Sequence, residues 1–436
     1  MNKGQNLYRK AKKIIPGGNQ FLSKRPEMFL PDQWPAYYKK AKGCKIWDLD
    51  NNQLIDMSLM GVGSCSLGYS NYKVNLAVTK SLKNGSLSTL NSFEEVELAE
   101  KLIDLHPYME MVRFAKTGGE ANAIAIRIAR SITKKSKVAV CGYHGWHDWY
   151  LSTNLSSKNN LDSLLLPGLD VSGVPKELVN TSLPFSYGKI NELKRHIDLY
   201  ENEIGVICLE VQRGHKIDLN FIKNVIEIGK KINAIIIFDE ISSGFRLSTG
   251  GLYKNYGLEP DMVLLGKALG NGFGISAIMG KKEIMNGAQD SFISSGYWSE
   301  RTGFAAALET IKIFEEENIV DSLITKSNYF RKLFTKLFNE LNLKIEVKGL
   351  QTIPLLEINE VEPLKIKTLF TQEMLKKGYL ASNLTFLSIS HSKSVINKYA
   401  DECFEVFRKI KESIINDNLN DYIEGAICHS GFKRLT

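Results

Sequence analysis

The chain has 436 residues, 43% of them apolar and 24% charged, the composition of an ordinary globular protein, and its length points to two domains or one large domain with a smaller lobe. The net charge of +8 is spread along the sequence without a basic block, finger or RNA-binding signature, which argues against a nucleic-acid partner. Cys44, Cys65, Cys141, Cys208, Cys403 and Cys428 lie far apart with no C-x-x-C, so neither a disulfide framework nor a zinc site is expected.

The opening MNKGQNLYRKAKKIIPGG lacks the apolar run of a signal peptide, and no stretch is apolar enough to span a membrane, so a cytoplasmic protein is expected. Pro16, Pro26, Pro31 and Pro35 predict an irregular start. In KGCKIWDLDNNQLIDMS the Asp50-Asn51-Asn52 turn between two apolar-rich runs reads as a β-hairpin. FEEVELAEKLIDLH, from residue 93, has a helical period that directs Phe93, Val96, Leu98, Leu102, Ile103 and Leu105 toward a core. The strand MVRFA then runs into TGGEANAIAIRIAR, a helix opened by Thr117 and two glycines. KVAVCGY, EIGVICLEV, AIIIFDE and DMVLLGK read as further strands, with a helix through FIKNVIEIGKKI. Short apolar strands alternating with helices predict an α/β fold with a parallel sheet covered on both faces. After residue 300 a long helix near 302–316 leads into a more helical region, with KIEVKG and QTIPLLEI as strand-like runs.

Ligands of an open α/β sheet bind beyond the carboxyl ends of its strands. The residues there are Thr117-Gly118-Gly119, Tyr143-His144-Gly145, Glu210-Val211-Gln212, Asp239-Glu240 and Gly266-Lys267. Two adjacent acids ending a buried strand are costly unless they find partners. Thr117-Gly118-Gly119 opens a helix whose free N–H groups, dipole and Thr117 hydroxyl suit a phosphate; a plain strand-to-helix turn has the same residues. Lys267, desolvated at a strand end, would release its proton readily and offer an amine nucleophile; a lysine snorkelling out at a sheet edge is the alternative. Gly270, Gly272 and Gly274 leave room behind it for something bulky. A protonated heterocyclic nitrogen would give Asp239 its partner. Pyridoxal 5'-phosphate (PLP) meets all three requirements: an aldehyde for Lys267, a phosphate for the 117–119 turn and a ring nitrogen for Asp239. His144 and His147 flank Trp146 with no third ligand at metal-like spacing, so no metal site is expected. His144 reads as a brace for Tyr143 or a nearby carboxylate, and Arg246 as a tie for the loop after the acidic strand.

TGGEANAIAIRIAR, GYHGWHD, IIFDEISSGFR and LLGKALGNGFGISAIMG, with the hairpin and AKKIIPGG, resemble the class III, fold-type I PLP-dependent aminotransferases, most closely the glutamate-1-semialdehyde aminomutase branch, over nearly the whole chain. The resemblance implies a large PLP-binding domain at 66–310, with a mostly parallel seven-stranded sheet between helices, and a smaller α+β domain at 311–436. A segment at 1–65 would pack with the small lobe and the partner subunit. It further implies that Lys267 holds the cofactor covalently and shuttles the substrate proton, while Asp239 pairs with the ring nitrogen. Tyr143 would stack on one ring face and Ile241 press on the other; Thr117, Gly118 and Gly119 would hold the phosphate. Glu210 stands where the family places an acid near the cofactor's phenolic side; a core carboxylate bonded only to backbone is the alternative.

Two positions depart from the family pattern. Gly119 stands where the phosphate cup has a second hydroxyl, and Gly296, in ISSGYWSERTG, where a threonine is donated across the dimer interface. Ser294, Ser295, Tyr297 and the Gly296 N–H are candidates to compensate. The implied assembly is a homodimer with shared active sites, to which NGSLSTLNS (84–92) and 294–301 contribute. LSTNLSSKNNLDSLLLPGL reads as a mobile polar gate. Lys24 and Arg25 suit an anionic substrate group, or are simply exposed basic residues; Asn91, Trp298 and Glu300 are further substrate candidates. The YWSER segment and the tail differ from the aminomutase pattern. The expected activity is therefore intermolecular: an amino group passes from a small-molecule donor such as L-glutamate to an aldehyde or ketone. By analogy the acceptor is sugar- or polyol-derived, in surface-glycan synthesis. The alternatives are the glutamate-1-semialdehyde aminomutase of tetrapyrrole synthesis, a racemase or decarboxylase on this scaffold, and a non-catalytic PLP-binding member.

Overall fold

Along the chain, the computed structural model places strands β1 Tyr38–Lys42, β2 Lys45–Asp48, β3 Gln53–Met57, β4 Met111–Ala115, β5 Lys137–Cys141, β6 Ser182–Pro184, β7 Ile204–Glu210, β8 Ile235–Asp239, β9 Met262–Leu265, β10 Ser276–Gly280, β11 Ile345–Lys348, β12 Leu355–Ile358 and β13 Tyr379–Ala381. Residues 2–164, 167–214, 216–432 and 435 are described. They fall into two units, 72–320 and 1–71 with 321–436. The borders lie beyond 65/66 and 310/311 because the helix Thr302–Glu316 packs along its length on the helices Tyr72–Lys83 and Phe93–Leu105 of the larger unit. That helix ends at Glu316, and Asn318 takes φ 47° just before the next helix, Ile319–Glu340.

The larger unit is built on a seven-stranded sheet of order β4-β10-β9-β8-β7-β5-β6. The five strands from β9 to β6 are parallel, and β10 runs antiparallel to both β9 and β4. The continuous apolar runs follow from burial on both faces. Val206, Cys208, Ile235 and Ile237 pack with Ala121, Ile124, Ala125 and Ile128 of the helix Gly118–Thr133. The alternate residues Ile207 and Ile236 meet the helix Leu219–Lys231, where Gly229 permits the approach: a Cβ there would lie 2.2 Å from Ile236 Cδ1. On Phe93–Leu105 only part of the expected face is inward. Leu98 and Leu102 are buried, whereas Phe93 and Val96 are 63% and 60% exposed.

In the smaller unit, the four-stranded sheet β1-β2-β3-β13 contains the expected hairpin. The Asp48 carboxylate accepts from the N–H groups of Asp50 and Asn52 at 2.9 and 2.8 Å, and Asn51 takes the turn at φ 65°. β11 and β12 pair antiparallel, and the core joins Phe330, Phe334, Phe338, Phe370, Tyr399 and Phe407. All six cysteines are buried and outside any disulfide. Among the described residues no helix is long and apolar enough to cross a membrane.

Candidate active site

Parallel register brings the strand ends to one level: Glu210 on β7 pairs with Asp239 on β8, and Asp239 with Leu264 on β9. Lys267 follows β9 by two residues, at the start of a short turn, Lys267–Gly270, with φ 43°. A side-chain-bearing residue in the left-handed region is strained, and such strain gathers at functional positions. Its Nζ donates to Ser242 Oγ at 2.7 Å. Burial holds the Lys267 ammonium below its ordinary pKa; Glu210 and Asp239 oppose that shift and the buried Arg246 adds to it. The amine is thereby easier to deprotonate than a surface lysine.

The two adjacent acids have different partners. Asp239 Oδ2 accepts from Asn122 Nδ2 at 2.9 Å and His144 Nδ1 at 2.8 Å, and Oδ1 from the Ile241 N–H at 3.0 Å. Burial works against a charged His144, but the adjoining Cys208 and the Asp239 carboxylate outweigh it and lift its pKa. Glu240 instead points into the protein, accepting from Leu252 N, Tyr253 N and Ser243 Oγ at 2.7–2.8 Å. Glu210 is not bonded to backbone alone: it accepts the Tyr143 N–H at 3.1 Å and forms an ion pair with Arg213. Gly142, at φ 127°, makes room for it, since a Cβ there would lie 2.5 Å from Glu210 Oε2. Tyr143 is half-buried, edge-on to Tyr150 at 6.2 Å. Ile241 is buried over Gly118, whose missing Cβ would sit 2.8 Å from Ile241 Cδ1.

Thr117 is the N-cap of Gly118–Thr133 in a reciprocal capping box with Glu120. Glu120 Oε2 takes the Thr117 N–H at 2.8 Å and lies 3.0 Å from its hydroxyl, so that hydroxyl is already engaged. The first-turn N–H groups of Gly118 and Gly119 have no acceptor within the helix. Glu120 is held in turn by Trp298 Nε1 at 3.1 Å. These contacts keep its carboxyl below the usual range although burial pulls the other way.

The remaining candidates form other groups. Asn91, Ser295, Gly296 and Trp298 line a 690 Å³ cleft beside β4 that Lys267, Asp239 and Tyr143 do not touch. Glu300 is consumed by Lys116 Nζ at 2.9 Å and by the N–H and hydroxyl of Thr302 at 2.9 and 2.7 Å, so it braces the segment rather than facing a substrate. Lys24 and Arg25 belong to the smaller unit, where the Arg25 guanidinium fills the space a Cβ on Gly17 would need. Part of the polar gate is packed down, with Leu161 and Leu164 buried and Asn154 Oδ1 accepting from the Leu161 N–H at 2.8 Å, whereas Ser156, Ser157, Lys158 and Asn159 are exposed. Leu165 and Leu166 of that segment lie outside the described residues. No group of three or more His, Cys, Asp or Glu side chains among the described residues is placed to hold a metal ion.

Sequence reasoning did not single out Asn122, Ser242 or Arg213. Ser242 carried the one available signal, a hydroxyl three residues beyond Asp239. The set fits PLP: an amine of lowered pKa, a buried carboxylate with Oδ1 lightly used, and a glycine-opened helix. Residues 31–410 match the family model described as Aminotransferase class-III. The chain is 30% identical over 408 residues to the 3-aminobutyryl-CoA aminotransferase of Cloacimonas acidaminovorans, covering 92% of this chain and 93% of that protein. It is 31% identical to the glutamate-1-semialdehyde 2,1-aminomutase of Methanothrix thermoacetophila, covering 94% and 97%. Among solved structures, the FumI protein of Sphingopyxis sp. MTA144 in its PLP internal aldimine form superposes with a TM-score of 0.85 at 22% identity, over 95% of this chain and 97% of that one.

Proposed function

The chain belongs to the class III aminotransferases, PLP-dependent enzymes of fold type I, and from that premise we propose that it moves an amino group from an amino-acid donor, L-glutamate first, to a separate aldehyde or ketone. Lys267 beside Asp239, at the ends of the neighbouring strands β9 and β8, is the observation that carries this reading. When bound, PLP supplies an aldehyde for amines and a ring that draws electrons from the substrate carbon. Lys267 Nζ anchors the cofactor and, once released, moves the proton at the substrate carbon, with its lowered pKa suiting that task. Asp239 holds a proton on the ring nitrogen, while Asn122 and His144 fix its second oxygen. Tyr143 and Ile241 would flank the ring, the N–H groups of Gly118 and Gly119 would bind the phosphate, and Glu210 with Arg213 would serve the phenolic side.

The tied-down Glu300 and Trp298 give the 296–301 segment a bracing role that an intermolecular enzyme tolerates. Aminomutation of glutamate 1-semialdehyde is the second reading, supported by the 31% identical relative of that name. Visible absorption of the holoenzyme before and after L-glutamate, with no acceptor present, tests the choice. Conversion of the visible band to that of the amino form supports a glutamate donor, and a carbonyl screen including sugar-derived aldehydes then finds the acceptor. A band indifferent to glutamate, alanine and aspartate favours the aminomutase, and the absence of a band defeats both readings.

A further inference from the structure

Two ring nitrogens of the YHGWH loop, His144 Nε2 and His147 Nδ1, are buried without a hydrogen-bond partner among the described residues. His144 already bonds Asp239 through its other nitrogen. His147 occupies a different place. Its loop is pressed onto the first turn of Gly118–Thr133, where Gly145, at φ 110°, comes so near that a Cβ on it would lie 2.8 Å from Gly119 Cα. Gly119 has no side chain, and the point its Cβ would occupy is 3.1 Å from His147 Nδ1 and 3.0 Å from Cε1. Cα–Cβ bonds of a helix tilt toward its N-terminus, so this nitrogen stands at the helix mouth, beside the open N–H groups of Gly118 and Gly119. The ring is stacked on Trp146, with centroids 4.5 Å apart and planes 25° apart, which limits its rotation. Glu120 and Asp148 are the carboxylates acting on the ring, and Glu120 is already engaged by Thr117 and Trp298. A buried nitrogen left unpaired is costly, and an anion at the helix start would remove that cost.

We propose that His147 is a ligand of the cofactor's phosphate, its Nδ1–H donating to a phosphate oxygen in the space that a side chain at position 119 would otherwise fill. The inference rests on the phosphate lying at Gly118–Gly119, as in the proposed function. It gives Gly119 a physical reason, because any side chain there would contest the imidazole's place.

The test titrates apoprotein with PLP and, separately, with pyridoxal, which has the same ring and aldehyde but no phosphate, following the visible band and tryptophan fluorescence. His147→Leu fills the volume without a donor, and His147→Asn keeps a donor near the Nδ1 position. His147→Leu is expected to weaken PLP binding by about 10- to 100-fold, the loss of one hydrogen bond to a charged group, and to leave pyridoxal binding unchanged. His147→Asn is expected to retain most of the PLP affinity. Equal PLP affinity for wild type and His147→Leu would overturn the proposal, and so would equal losses for PLP and pyridoxal, which would mark a packing role. Should His147→Leu not fold, His147→Ala takes its place as the variant without a donor, and equal PLP affinity or equal losses for PLP and pyridoxal in it overturn the proposal. If wild-type apoprotein forms no visible band with PLP, the cofactor reading fails first and the inference with it.

Discussion

Asp239 and Glu240 are neighbours in sequence with opposite surroundings. Asp239 sits where β8 meets the site, its Oδ1 bonded among the described residues only to the Ile241 N–H and so able to take a ring N–H. Glu240 is turned inward, and burial raises its pKa although the Leu252 and Tyr253 N–H groups and the Ser243 hydroxyl pull it back down. Near-isosteric substitutions therefore separate the two acids by their effect on turnover. Asp239→Asn keeps an acceptor for Asn122 and His144 but removes the negative charge. It is expected to lower the rate of the glutamate half-reaction by about 10²–10³-fold, the scale of losing one preorganised electrostatic group; its amide NH2 must face the Ile241 N–H, so the melting temperature falls as well and the rate is read on the holoenzyme that remains folded. Glu240→Gln must turn an amide NH2 toward one of three donors. Leaving a buried donor unpaired costs about 1–3 kcal/mol, so thermal unfolding should shift down while the holoenzyme that remains folded keeps its turnover. A Glu240→Gln protein of unchanged stability but lost turnover would show that the two acids share the chemistry.

At the scale of elements, the helix Phe93–Leu105 ends on His106, which joins it to the loop after β8. His106 Nδ1 donates to Leu102 O at 2.7 Å, and Nε2 accepts from the Gly251 N–H at 3.0 Å, which fixes a neutral tautomer. Gly250, at φ 89°, permits this approach, since a Cβ there would be 2.7 Å from Nε2. Burial, with Lys254 near by, lowers the His106 pKa to about 4. Because the unfolded chain binds this proton more readily, stability is full above the unfolded pKa, about 6.5, and falls as pH drops toward 4. Going from pH 7 to pH 5 should cost about 2 kcal/mol through this residue. Denaturant midpoints at both pH values measure it, and His106→Gln should flatten the dependence; an equally steep loss in that variant would put its origin elsewhere. Little of this contact is legible in the sequence, because it joins residues 145 positions apart. The elements themselves are far more legible. β5, β7, β8 and β9 announce themselves as apolar runs, since burial on both faces leaves no polar alternation to confuse with a loop. β6 has only three residues and ends at Pro184, as an edge strand tolerates, and β10 lies in the glycine-rich run after Lys267, so neither has a period of its own to read.

For the molecule as a whole, the same reasoning divides the site into what one chain makes legible and what it does not. Parallel strands end at one level, so Asp239, Glu210 and Lys267 are found by reading the residue after each apolar run. The ties among side chains, Lys267 to Ser242, Glu210 to Arg213 and Trp298 to Glu120, require distances that sequence order does not supply. The outward face of the larger unit raises the question of a second subunit. Arg301 gathers the 84–92 and 294–301 segments, its N–H donating to Ser86 O at 3.0 Å and its guanidinium paired with Glu94. Around them Leu90 is 81% exposed, and Phe93, Val96 and Tyr297 are exposed as well. Apolar side chains gathered this way on a surface mark an interface, and a two-fold dimer would cover the patch with its own copy. Family members are typically dimeric, and we propose that two chains meet here and that Asn91, Ser295 and Gly296 serve the partner's site. Leu90→Asp with Val96→Glu disturbs no buried residue, so the chain should fold with its melting temperature little changed when compared as apoprotein. Sedimentation should then show the 49.1 kDa chain instead of twice that mass, and turnover should fall with dimer content. Full turnover by a monomeric variant would mean that each chain completes its own active site, and the cleft beside β4 would need another explanation.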